Sequence, residues 1–89
     1  MPTISMFYGI LICMYFYDDE RHNLPHIHAK YQGKDASFNI LDGELICGEI
    51  PLAKTRLVQA WIEINRESLL ADWELAVSGQ PLLPIDPLR

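Results

Sequence analysis

The chain has only two cysteines, Cys13 and Cys47, in no paired spacing such as Cys-x-x-Cys. That argues against a cysteine-built zinc site or a redox pair and leaves both as small apolar packing residues. Cations are short as well: seven Lys and Arg against twelve Asp and Glu give a formal net charge of −5. Broad electrostatic binding of nucleic acid needs clustered Lys and Arg to displace counterions, so any such contact has to be local. Long apolar runs are missing too. The segment from Ile10 to Tyr17 is apolar but too short to cross a bilayer, and it lacks the basic flank and small-residue cleavage site of a signal peptide. A reduced, cytoplasmic protein without membrane contact is expected. There is no Gly-x-Ser-x-Gly elbow, phosphate loop, dinucleotide fingerprint or His-Glu-x-x-His pair, and no internal repeat, linker or low-complexity stretch.

What is present fits one small globular unit. With 89 residues, 49% of them hydrophobic and 21% charged, residues 1–89 form a single domain whose core is small. A partner or a second copy would add usefully to its burial.

The first half of the chain reads as strands and the second as helix. From Ile4 to Tyr17 both alternating faces are apolar, Met6, Tyr8, Ile10, Ile12 and Met14 on one and Phe7, Leu11, Cys13 and Tyr15 on the other. Such a strand is covered on both sides. One helix layer covers one face, so the other meets either a second chain or the C-terminal tail. The acidic segment Asp18 to Pro25 is a connection. His26 to Gln32 alternates cleanly, with Ile27, Ala29 and Tyr31 inward and His26, His28 and Lys30 outward. A turn at Gly33-Lys34-Asp35 leads to a third strand with Ala36, Phe38 and Ile40 inward and Ser37 and Asn39 outward. Asp42-Gly43 is the strongest hairpin signal in the chain and introduces a fourth short strand from Glu44 to Ile50.

Pro51 suits the first turn of a helix, and the helical pattern from Leu52 to Val77 stops at Ser78-Gly79. Leu57, Val58, Trp61, Ile62, Ile64, Leu69, Trp73 and Ala76 share one broad arc. Asn65, Ser68 and Asp72 fall within that arc, and if buried they need partners. A break at Asn65, with the residue capping a second helix, is the alternative to one continuous helix. The tail from Gln80 to Arg89 alternates proline with aliphatics and reads as an extended strap. The fold class is therefore α+β: a small antiparallel meander of about four strands packed by a C-terminal helix, with a Pro-rich tail.

All three histidines lie between His22 and His28. On a strand, His26 and His28 project from the same face, so their nitrogens are paired. With His22 or Asp18 and Asp19 from the preceding loop they could hold a divalent metal, although without cysteines a closed structural site is unfavoured and no cofactor is expected. Alternatively, His26 and His28, with His22 contributing from the loop, could cleave a phosphodiester without metal. One imidazole would take the 2′-hydroxyl proton and the other would protonate the leaving oxygen, with Lys30, Ser37 and Asn39 contacting the substrate. A solvated His-rich strand face is the plainer reading. The doubly apolar first strand and the acidic surface equally suit a non-enzymatic module that dimerises or binds a basic protein.

Phe7-Tyr8-Gly9-Ile10, Leu24-Pro25-His26-Ile27-His28-Ala29-Lys30-Tyr31, Val58-Gln59-Ala60-Trp61-Ile62-Glu63 and Leu70-Ala71-Asp72-Trp73-Glu74-Leu75-Ala76 together resemble the small bacterial family catalogued as domain of unknown function number 4160. The resemblance covers essentially the whole chain. It implies the toxin component of a type II toxin-antitoxin pair, with a small cognate antitoxin as partner. The family pattern matches at Pro25, His26 and His28, and more loosely at Glu20-Arg21-His22. Other members often carry His where this chain has Asn65, a departure that weakens an enzyme reading. The expectation is a toxin component acting on RNA through the His-rich face; the alternative is a protein-binding or dimerisation module.

Overall fold

The computed structural model describes residues 3–15 and 24–89. Five strands, β1 (Thr3–Phe7), β2 (Ile10–Cys13), β3 (His26–Tyr31), β4 (Lys34–Asn39) and β5 (Leu45–Gly48), form one antiparallel sheet in chain order, followed by the helix α1 (Leu52–Val77). The domain is an α+β meander, with one strand more than the sequence pattern yields. The difference lies in the first segment, which folds back on itself. Tyr8 and Gly9 both take positive φ, 50° and 77°, which matches the twist of a two-residue hairpin, and Phe7 pairs with Ile10. What reads as one strand apolar on both faces is two strands side by side. The turn between β3 and β4 likewise sits one residue early, at Gln32-Gly33, so that Lys34 and Asp35 belong to β4 and pair with Tyr31 and Lys30.

The helix side of the sheet carries the core. Ile10, Ile12, Ile27, Ala29, Ala36, Phe38 and Ile40 are all essentially inaccessible, packed with Val58, Trp61, Ile62 and Leu69 of α1. Burial of this kind is the main stabilising term of so small a domain. Phe7 and Trp61 meet with ring centroids 5.2 Å apart, tilted by 40°. Ile64, which the helical pattern places with this arc, is instead 70% exposed. The buried stripe runs through Val58, Trp61, Leu69 and Trp73, and Ile64 falls outside it, just ahead of a kink.

That kink is at Asn65, whose φ of −112° and ψ of 19° leave the helical region while the helix continues to Val77. Its Nδ2 donates to the carbonyl of Trp61, four residues back, at 3.0 Å. A side chain bonding into the backbone ladder is a recognised cause of helix bending. Pro51 precedes the first helical residue as the N-cap instead of lying inside the first turn, and its carbonyl accepts from the Lys54 and Thr55 N–H groups at 2.9 Å. At the other end, Gly79 N–H bonds the Ala76 carbonyl and Gln80 N–H the Leu75 carbonyl, the paired arrangement of a Schellman stop.

After the helix the chain returns across α1. Leu83 N–H donates to Asp72 Oδ1 at 3.1 Å, Ile85 N–H donates to the Ile4 carbonyl at 2.8 Å, and the Trp61 indole N–H donates to the Asp86 carbonyl at 2.8 Å. Ile85 thereby enters the core from the β1 side. Among the described residues no helix is long and apolar enough to cross a membrane.

Candidate functional site

The strand register gathers the candidate residues on the sheet face away from the core. His28 stands opposite Cys13 of β2 and Ser37 of β4, Ser37 opposite Cys47 of β5, Lys30 opposite Asp35, and His26 opposite Asn39. The alternation of β3 thus places His26, His28 and Lys30 together, with Ser37 and Asn39 alongside. His22, Asp18 and Asp19 lie outside the described residues.

The row is less solvated than its alternation implies. His26 is only 5% exposed. Its ring stands 5.1 Å from that of Trp73 and 5.3 Å from that of His28, and the His28 ring is 4.8 Å from Tyr15. The Lys30 ammonium lies 5.6 Å above the Tyr15 ring, within cation–π range. Trp73, beyond the kink, therefore caps one end of a line of four rings and Lys30 the other. The expectation of a solvent-facing His26 is corrected by that tryptophan, which strand alternation alone does not reveal.

Hydrogen bonding separates the two histidines. Because a carbonyl only accepts, the His26 Nδ1–H donates to the Leu24 carbonyl at 2.8 Å, which fixes the ring's tautomer. His28 Nδ1 lies 3.4 Å from Asp35 Oδ1 and 3.3 Å from Ser37 Oγ. Its Nε2 is buried and, among the described residues, has no hydrogen-bond partner. Burial pushes the Tyr15 hydroxyl above its ordinary pKa, opposed by Lys30, while the bond to Tyr15 holds the Lys30 ammonium above its own. Asn39 is committed locally, its Oδ1 accepting from Leu41 N–H at 2.8 Å in the turn before Asp42-Gly43. Among the described residues no three His, Cys, Asp or Glu side chains gather to hold a metal ion.

Periodicity alone does not mark Tyr15, Asp35 or Trp73 as parts of this site. Asp35 was legible in principle: with the turn one residue earlier, it falls directly across from Lys30. Trp73 was not, since its contact depends on how α1 bends.

The polar helix residues form a second locality, between α1 and the tail. Asn65, Ser68 and Asp72 line one wall of a cleft of about 340 Å³, and Leu83, Pro84 and Asp86 of the tail line the other. Asp72 is 2% exposed, and its Oδ2 is buried without a partner among the described residues. Burial pushes the Asp72 carboxyl above the usual range, with the Leu83 N–H opposing.

No curated protein and no solved structure matches the chain. A family model described as Domain of unknown function (DUF4160) matches residues 9–74.

Proposed function

The chain belongs to the DUF4160 family of domains of unknown function, and from that premise we propose that it is the toxin component of a cytoplasmic toxin-antitoxin pair, holding its small antitoxin by strand addition at β5. One observation carries this reading. The two edges of the sheet differ: on β1 the Ile4 carbonyl is already taken by Ile85 N–H, whereas on β5 every residue is exposed, including Leu45 at 42% and Ile46 at 49%. Edge strands left open in this way are templates for a partner's strand, and proteins that avoid such pairing place Lys or Pro there. Here Leu45, Ile46 and Cys47 are flanked by Glu44 and Glu49, so a basic strand fits the surroundings best.

The test is co-purification with the product of the adjacent gene. Ile46→Lys should abolish the complex while leaving the circular dichroism spectrum unchanged; a complex that survives this substitution refutes strand addition at β5.

A second reading, action on RNA, draws on the geometry of His28. With Asp35 and Ser37 at Nδ1, Nε2 is buried and without a partner among the described residues; in this reading it exchanges a proton once the substrate uncovers it, and Lys30 supplies positive charge on the same face. Expression of the isolated gene should arrest growth, and the His28→Ala variant should relieve the arrest while still binding the antitoxin. Arrest that persists in His28→Ala sinks the histidine mechanism.

A further inference from the structure

We propose that the cleft between the kinked helix and the tail is a binding site for an alkylammonium group, with Asp72 as its counter-ion. The kink and the strap create the space. At Asn65 the helix bends, and the tail crosses the bend pinned at two points, by Trp61 to the Asp86 carbonyl and by Leu83 to Asp72. The cleft of about 340 Å³ left between the pins lies at the small end of ligand sites.

Asp72 is the observation that points to a ligand. Buried polar atoms almost always have partners, and a carboxylate oxygen without one calls for a donor from outside the described residues, a water or a ligand. Oδ1 takes the Leu83 N–H, but Oδ2 is buried with nothing opposite it among the described residues. Neither protonation state relieves it: an ionised Oδ2 lacks a donor, and a protonated one lacks an acceptor.

The lining decides the ligand's charge and shape. Two carboxylates, Asp72 and Asp86, line the cleft, and among the described residues no Lys, Arg or His does. An ammonium brings three donors and no acceptor, so once a small shift of the strap at Leu83 uncovers Oδ2 it can meet Asp72 while Asn65 and Ser68 offer oxygen atoms to the remaining N–H groups. Leu83, Pro84 and Ile85 provide an apolar side for a methylene stem. The group is therefore an ammonium on a short alkyl chain, whether a free diamine or a lysine side chain. Because Asp72 is itself withdrawn from water, pairing with its carboxylate is stronger than between two exposed groups.

Titration of the purified chain, followed through the Trp61 indole N–H resonance, tests the site and separates the two sources. The probes are 1,4-diaminobutane, a short lysine-containing peptide, its Nε-acetyl-lysine counterpart and 1,4-butanediol. Saturable shifts are expected with one or both amines and none with the acetylated peptide or the diol; a response to the diamine alone identifies a free amine, and to the peptide alone a protein lysine. The isosteric Asp72→Asn variant should weaken binding at least about tenfold. If that variant does not fold, Ser68→Leu, at an exposed position on the cleft wall, should block binding by occupancy. The proposal is overturned if neither amine binds, if the neutral probes bind equally well, or if binding survives these substitutions.

Discussion

Replacing Gly48 with alanine should cost the domain about 2–5 kcal/mol, the sum of about 1–2 kcal/mol for a left-handed backbone and about 1–3 kcal/mol for steric overlap. Gly48 has a φ of +75°, and a Cβ there would run into the carbonyl oxygen of Asp35 while lying 3.1 Å from Ala36 Cα. These obstacles are backbone atoms, so no side chain can swing aside. The conflict arises where Gly48 pairs with Ala36 at the end of β5, beside the point where the register shifts between Ser37 and Phe38, as it does when one strand carries an extra residue. Gly33 supplies the control. Its φ of +80° imposes the same conformational penalty, yet nothing lies within 4 Å of the added carbon, so Gly33→Ala should cost only about 1–2 kcal/mol. For a domain of this size each kcal/mol moves the melting midpoint by about 4–8 °C. Thermal melts followed by circular dichroism should show Gly48→Ala melting at least about 8 °C below wild type, and clearly below Gly33→Ala. Equal losses in the two variants would refute the close approach of β5 to Asp35, and with it the course assigned to that edge strand.

Three further outcomes follow from particular contacts. The carboxyl of Asp72 is pushed up in the folded state by burial; for an acid with a raised folded pKa, stability is full below the unfolded value of about 3.9 and declines as pH rises through the folded one. The stability of Asp72→Asn relative to wild type should therefore rise with pH across that window and level off above it, as urea melts at a series of pH values will show; a flat difference contradicts a raised pKa. Trp61→Phe keeps most of the buried ring but removes the donor to the Asp86 carbonyl, and should cost about 0.5–1.5 kcal/mol for the lost hydrogen bond, with amide exchange fastest in the tail; uniform exchange would argue against the indole as a pin. Arg66 donates from Nε to the Ile40 carbonyl at 2.9 Å as well as pairing with exposed Glu63, so Arg66→Ala should lower the melting midpoint more than Glu63→Gln does. Equal effects would make the surface pair the dominant link.

Local chemistry accounts for what the sequence discloses. The alternation in β3 and β4 assigns Ile27, Ala29, Ala36 and Phe38 to the core, where all four are buried. The Asp42-Gly43 turn shows itself in the Asp42 side chain, whose Oδ1 accepts from Glu44 N–H. The first hairpin was hidden because Tyr8 is not a residue that announces a positive φ, and the apolar residues on both sides of Gly9 continue each other's pattern. The surroundings of His26 and Asp72 were hidden for a different reason. Each is completed by a group distant in sequence, Trp73 in one case and Leu83 in the other, and the first depends on the bend at Asn65. Periodicity assigns a residue to a face, but it does not specify what crosses that face.

The bond from Ile85 to Ile4 ties the last part of the fold to the first strand. During synthesis β1 emerges early, yet this part of its edge cannot close until the segment beyond α1 has left the ribosome. Closing so long a loop is slow compared with forming the neighbouring hairpins. For that interval the nascent chain presents an incomplete β1 edge in addition to the strand β5 that stays open in the finished fold, so mispairing between copies at β1 is confined to the time of synthesis.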